Sequence, residues 1–126
     1  VILSDHPVPP KGPYGAARLV IVVQRIDPVD VFRVDAACRA LITSGPQRTF
    51  ECMTQRGFLT PVYQRFNTPR YHGVKLPGTL PPQRASLPVI LLPTTGPRWI
   101  AVIIVHWNGY DEARDVWERI AKSVKS

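Results

Sequence analysis

The chain has 126 residues, 44% apolar and 20% charged, with fourteen prolines and a net charge of +7. That length suits one domain, and the composition excludes a disordered or collagen-like chain. No apolar run reaches the ~18–20 residues of a membrane span, and the proline excess argues against long helices.

Residues 1–17 carry Pro7, Pro9, Pro10 and Pro13 and read as an extended N-terminal arm. A single domain is expected to fill 18–126. Arg18 to Arg25 reads as a buried strand, β-branched and apolar on both faces. Asp27-Pro28 then opens a helix, Asp27 capping it and Pro28 taking the first helical position. Val31, Val34, Cys38 and Leu41 give that helix one apolar stripe, and Gly45-Pro46 ends it. Thr49 to Met53 and Phe58 to Phe66 read as two strands, with Pro61 marking an edge or a bulge in the second. Residues 67–88, with five prolines and two glycines, form a long connection. A connection beyond ~12–15 residues is uncommon unless functional or disordered, and a partner surface is one way to order it. Leu87 to Leu92 and Trp99 to Trp107 form a hairpin around Thr94-Thr-Gly-Pro97. The second strand shows Trp99, Ala101, Ile103, Val105 and Trp107 on one face and Ile100, Val102, Ile104 and His106 on the other. Asn108 caps a last helix over 109–125, whose stripe is Ala113, Val116, Trp117, Ile120 and Val124. The expected fold is α+β: an antiparallel or mixed sheet of about five strands with two helices, in the order β-α-β-β-β-β-α.

Residues 36–110 hold Arg39, Arg48, Arg56, Arg65, Arg70, Lys75, Arg84 and Arg98 against one acid, Glu51, and no carboxylate lies between Cys52 and Tyr110. Cations without local acids point to an external anion: nucleic acid, an acidic protein face or lipid headgroups. Arginines outnumber lysines, which favours a contact surface, since the guanidinium fork suits phosphate and carboxylate. Aromatic rings are interleaved at Tyr63-Gln-Arg-Phe66 and Arg70-Tyr-His-Gly-Val-Lys75, where stacking could accompany phosphate contacts. The candidate anion or nucleic-acid contacts are Arg56, Arg65, Arg70, Tyr71, Lys75 and Arg84.

No catalytic constellation emerges. The acids sit at helix starts, where capping and the helix dipole account for them. His6, His72 and His106 lie far apart, and no Cys/His spacing fits zinc. Phosphate loops and nucleophile elbows are absent. No metal, cofactor or enzymatic activity is expected. Cys38 and Cys52 are expected as two buried thiols, with a Cys38–Cys52 disulfide as the alternative in an oxidising compartment. The chain starts at Val1 rather than Met, which implies processing or trimming, with any targeting peptide already removed.

Two resemblances extend this reading. Trp107-Asn-Gly-Tyr110, followed after six residues by Trp117-Glu118, resembles the W-x-G-Y-x6-W-E signature of chromodomains, although Arg119 stands where that family has proline. The resemblance implies an aromatic pocket in which Trp107 and Tyr110 hold a methylated lysine by cation–π attraction. The order of elements looks like that of PsbP/Mog1-type domains, with an apolar strand, a helix, a meander and a final helix; this implies a lumenal or periplasmic accessory role and transfers no active residue. The expected function is a non-catalytic binding or assembly subunit of a larger complex, using the basic, acid-free surface of residues 52–110 towards an anionic partner, with other protein subunits as the expected partners. The alternatives are a free-standing nucleic-acid binder and an exported accessory domain. An organelle (mitochondrial or plastid) or an exported setting is the expected location.

Overall fold

The computed structural model describes residues 1–9, 12–58, 62–81 and 87–125. Its spine is the antiparallel pairing of β2 (Leu19–Ile26) with β6 (Trp99–Trp107), which runs from Leu19 opposite Trp107 to Ile26 opposite Trp99. Around it stand β1 (Ile2–Ser4), β3 (Gln64–Asn67), β4 (His72–Leu76) and β5 (Val89–Pro93). The sheet order is β1-β2-β6-β5-β4-β3 and every pairing is antiparallel. The fold is therefore α+β, with six strands and four helical segments among the described residues rather than about five and two.

Because β2, β5 and β6 are apolar on both faces, the sheet must be covered on both. On one face, α3 (Ala113–Ser123) lays Ala113, Trp117 and Ala121 over Leu19, Ile21, Ile90, Leu92, Ile100, Val102 and Ile104. On the other, the 3-10 helix Arg39–Ser44 and α2 (Pro46–Gln55) pack Cys38, Ile42, Phe50 and Met53 over Val74, Leu76, Leu91, Trp99 and Ala101. Each layer holds one fully buried tryptophan whose indole N–H meets a backbone carbonyl of the opposite layer. Trp117 donates to Val102 at 2.7 Å and Trp99 to Ile42 at 3.1 Å. Burial without that partner would strand a polar N–H.

Between residues 27 and 55 the chain departs from the expected helix-then-strand. Asp27 does accept from the Val29 N–H at 3.1 Å with Pro28 behind it, but α1 (Pro28–Val31) lasts one turn. Val29, Val31 and Phe32 lose side-chain freedom in a helix, and Phe32 is extended at φ −121°, ψ 141°. Gly45-Pro46 closes the 3-10 helix and also opens the next one. Gly45, at φ +103°, holds a backbone conformation that favours glycine, and Pro46 takes the first helical turn. Pro46, Thr49, Phe50 and Met53 then recur three and four apart, all buried, so Thr49–Met53 belongs to a helix and not to a strand. The Thr49 hydroxyl donates to Gly45 O at 3.0 Å, which satisfies this buried side chain.

The strand expected over 58–66 is confined to Gln64–Asn67; Phe58 and Val62 are exposed outside it. The bulge or edge assigned to Pro61 lies outside the described residues. The connection expected over 67–88 contains β4, which pairs with β3 and β5. Asn108 does not cap α3: its N–H donates to Arg18 O at 2.8 Å, extending the β2–β6 ladder, and α3 begins at Ala113. A register shift between Val20 and Ile21 leaves Val105 without a partner, since Val20 faces His106 and Ile21 faces Ile104. This bulge turns Trp107 from the expected Trp99 side to the α3 side.

Gly73 is the tightest point of β4. A Cβ there would lie 2.2 Å from Leu91 O of β5, so no side-chain rotation relieves the clash. Gly73→Ala is expected to lower unfolding stability in urea by about 3 kcal/mol. A variant as stable as the parent would show that β4 and β5 are not packed this closely.

Candidate functional site

The fold supplies acids that are remote in sequence to three of the eight cations in the stretch. Arg56 pairs with Asp35 at 2.8 Å, Arg65 with Glu51, and Lys75 with Glu118 at 3.0 Å, the last tying β4 to α3. Tyr71 is buried in the α3-side core and offers no face for stacking. Arg84 lies outside the described residues. Arg70 stands in the exposed β3–β4 turn, its backbone N–H held by Thr68 Oγ1 at 3.2 Å. The candidate contacts therefore do not form one free basic surface. Three are matched inside the chain and one is core. The acids that match them come from 35, 51 and 118, outside the acid-free run.

Among the described residues, Arg25, Arg33, Arg39, Arg48, Arg70 and Arg98 have no carboxylate oxygen within 4.0 Å. Two of these come together: Arg25 and Arg98 line a shallow depression beside the β5–β6 turn, with Thr94, Thr95 and Gly96. The strand register places Ile26 opposite Trp99, which brings these two arginines to the same end of the sheet. Arg25 lies outside the sequence-derived set, because its relation to Arg98 depends on the β2–β6 pairing.

The two aromatic residues of the resembling segment are tied into the β6–α3 turn. Trp107 Nε1 donates to Tyr110 O at 2.8 Å, and both rings are half-buried against the α3-side core. The guanidinium of Arg18 lies 5.6 Å from the centre of the Tyr110 ring and donates to Gly109 O at 2.6 Å. The face of Tyr110 thus already meets a cation from its own chain.

Cys38 and Cys52 are joined as a disulfide, with Cα atoms 5.7 Å apart, in place of the two expected thiols. Cys38 precedes the 3-10 helix and Cys52 sits on α2, a pairing that the expected strand at 49–53 obscured. His106 Nε2 lies 2.9 Å from Ala17 O, and His72 Nδ1 lies 3.2 Å from Asn67 Oδ1. Among the described residues no group of three His, Cys, Asp or Glu side chains is placed to hold a metal ion. No helix among them is long and apolar enough to cross a membrane.

A cavity of about 210 Å³ opens between β1, β2 and α3. Leu3, Leu19, Ile21, Val116 and Ile120 line it, with Tyr110, Ser4 and Asp5 adding polar atoms. Sequence reasoning missed this site because it set residues 1–17 apart as an extended arm outside the 18–126 domain. Here Ile2 to Ser4 pair with β2, and the Val1 ammonium donates to Val23 O at 3.0 Å. Comparison with known proteins finds no matching family model, no matching curated protein and no matching solved structure.

Asp5 anchors the arm. Its Oδ1 accepts the backbone N–H of Arg18 at 2.8 Å and of Leu19 at 3.3 Å. Desolvation pushes its carboxyl up, but those two N–H groups, its own backbone N–H and the His6 charge outweigh this and hold it below the ordinary 3.8. A depressed folded value means a contribution to stability that is present above the unfolded value and lost as pH falls through the folded one. Asp5→Ala is therefore expected to lower the urea midpoint near neutral pH, with the gap to the parent narrowing as pH drops below 3.8. A gap that persists unchanged at lower pH would exclude the carboxylate as the anchor.

Proposed function

We propose that the chain is a non-catalytic accessory domain that works in an oxidising compartment and engages a partner there. The observation that carries this reading is the Cys38–Cys52 bridge. Disulfides persist in exported and lumenal settings and are reduced in the cytosol of most cells. Here the bond does structural work. It links the approach to the 3-10 helix with α2, and both lie over Trp99 and Ala101 on one face of the sheet. An apolar first core strand, a helical segment, a meander and a closing helix support the likeness to PsbP/Mog1-type lumenal and lipoprotein-like domains.

Alkylation of the natively produced chain, followed by mass measurement, tests the reading. No adduct is expected before reduction and two after it. Adducts on the unreduced protein would overturn the oxidising-compartment assignment. Reduction, or Cys38→Ala with Cys52→Ala, should cost about 2–4 kcal/mol of unfolding stability by the chain-entropy argument for a loop of this size.

A second reading, contact with an anionic partner, is favoured by the unmatched pair Arg25 and Arg98. Exposed cations steer anions and lose effect as salt screens them. Arg25→Gln with Arg98→Gln should lower the salt needed to elute the protein from a heparin column by more than Arg65→Gln does, since Arg65 is already paired. Equal effects would remove this pair from the reading.

A further inference from the structure

We infer that the cavity between β1, β2 and α3 binds a small apolar molecule, a single aromatic ring on a short chain, whose head group donates hydrogen bonds or carries positive charge. This assignment does not rest on the redox reading, because the disulfide lies on the opposite face of the sheet.

The floor and walls carry the first half of the argument. Leu19 and Ile21 come from β2, Val116 and Ile120 from α3, and Leu3 from β1, with the Tyr110 ring closing one side. Its volume of about 210 Å³ exceeds the ~150 Å³ of an apolar cavity known to hold benzene. Ligand sites are concave, mainly apolar and marked by a few placed polar groups, and this one has three polar residues, Ser4, Asp5 and Tyr110, among an otherwise aliphatic lining. A flexible acyl chain could also contact aliphatic walls, but it would lose more rotational freedom than a ring.

The second half concerns the mouth. Asp5 is the only carboxylate among the lining residues. Its Oδ1 is committed to two backbone N–H groups, and among the described residues its Oδ2 has one basic side chain within 4.0 Å, the His6 imidazole through Nε2. The nearby Arg18 guanidinium is engaged with Gly109 O and the Tyr110 ring. The Ser4 hydroxyl is spent on His6 O. Beside the Tyr110 hydroxyl, which donates and accepts, what the lining offers an incoming head group is thus an acceptor oxygen with negative charge, and that charge sets the preference. A donor gains a charge-assisted bond there, and a carboxylate meets repulsion.

Two probes with the same ring and chain and opposite heads test this: 2-phenylethylamine and 3-phenylpropanoate, each titrated into the isotope-labelled full chain. The amine should give saturable amide shifts confined to Leu3–Asp5, Ile21, Tyr110, Val116 and Ile120. It should bind about ten-fold tighter than the acid, the ratio expected for one charge-assisted hydrogen bond. Asp5→Asn should bring the two affinities together. Leu3→Trp, which fills the mouth from a half-exposed strand position, should abolish the shifts. Should that variant detach β1, Val116→Phe fills the same space from α3. Shifts that fail to saturate or spread over the molecule would overturn the proposal, as would acid binding as tightly as amine or amine binding undiminished in both filled variants.

Discussion

The constraint on which this structure depends is the pairing of two strands that have no polar face. β2 and β6 are paired from Leu19–Trp107 to Ile26–Trp99, and side chains on both sides of the ladder are buried. A sheet of that kind cannot leave one side to water, so the chain has to provide a cover for each. It does so with unequal pieces. The amphipathic α3 covers one face. A broken helical segment, cross-linked by the Cys38–Cys52 bond, covers the other. A tryptophan indole joins sheet to helical layer in each case, by a hydrogen bond that also fixes the ring. Removing either ring would cost about 3–5 kcal/mol in cavity and transfer terms.

The bulge at Val105 sets the geometry around the cavity. By adding one residue to β6 it sends Trp107 to the α3 side, where its N–H holds the carbonyl of Tyr110. Gly109, at φ +73°, makes the turn that this requires. Arg18 spans the same corner, taking the Asn108 N–H on its carbonyl and giving its guanidinium to Gly109 O. Its own N–H goes to Asp5, so one residue couples the arm, the central ladder and the β6–α3 turn. Tyr110 is thereby a fixed wall of the cavity.

How much of this was readable in the sequence follows from the range of the forces involved. β2 and the β5–β6 hairpin were legible because their apolar runs are continuous and bounded by turn residues. β6 was found at its observed limits, yet the facing of Trp107 was misread because a bulge leaves no mark on an alternating pattern. The 46–53 helix was missed because Gly45-Pro46 is both a stop and a start signal, and only a window opening at Pro46 shows the stripe. β4 was hidden because His72–Leu76 is short, holds a glycine and lies between prolines. It becomes a strand through pairing on both edges, which no local signal encodes. The cavity was out of reach for the same reason, since its walls come from positions 3–5, 19 and 21, 110, and 116 and 120.

Charge gives the sharpest case. A segment without acids need not make an unpaired surface, because the partners of its cations can be a fold away. Asp35 and Glu51 lie in helical-layer segments and Glu118 on α3, and each reaches a cation of the acid-free run. Two of these pairs are substantially exposed, and such pairs contribute ~0–1 kcal/mol to stability. Their larger effect is on the outer field, where each removes a full positive charge from what a partner meets. Among the described residues, what survives pairing is part of the cationic 36–110 stretch, Arg39, Arg48, Arg70 and Arg98, together with Arg25 and Arg33 from outside it, and Arg25 and Arg98 are gathered at one end of the sheet by β-pairing rather than by sequence. The run of charge along a chain therefore predicts an interface only after the contacts made by folding are subtracted.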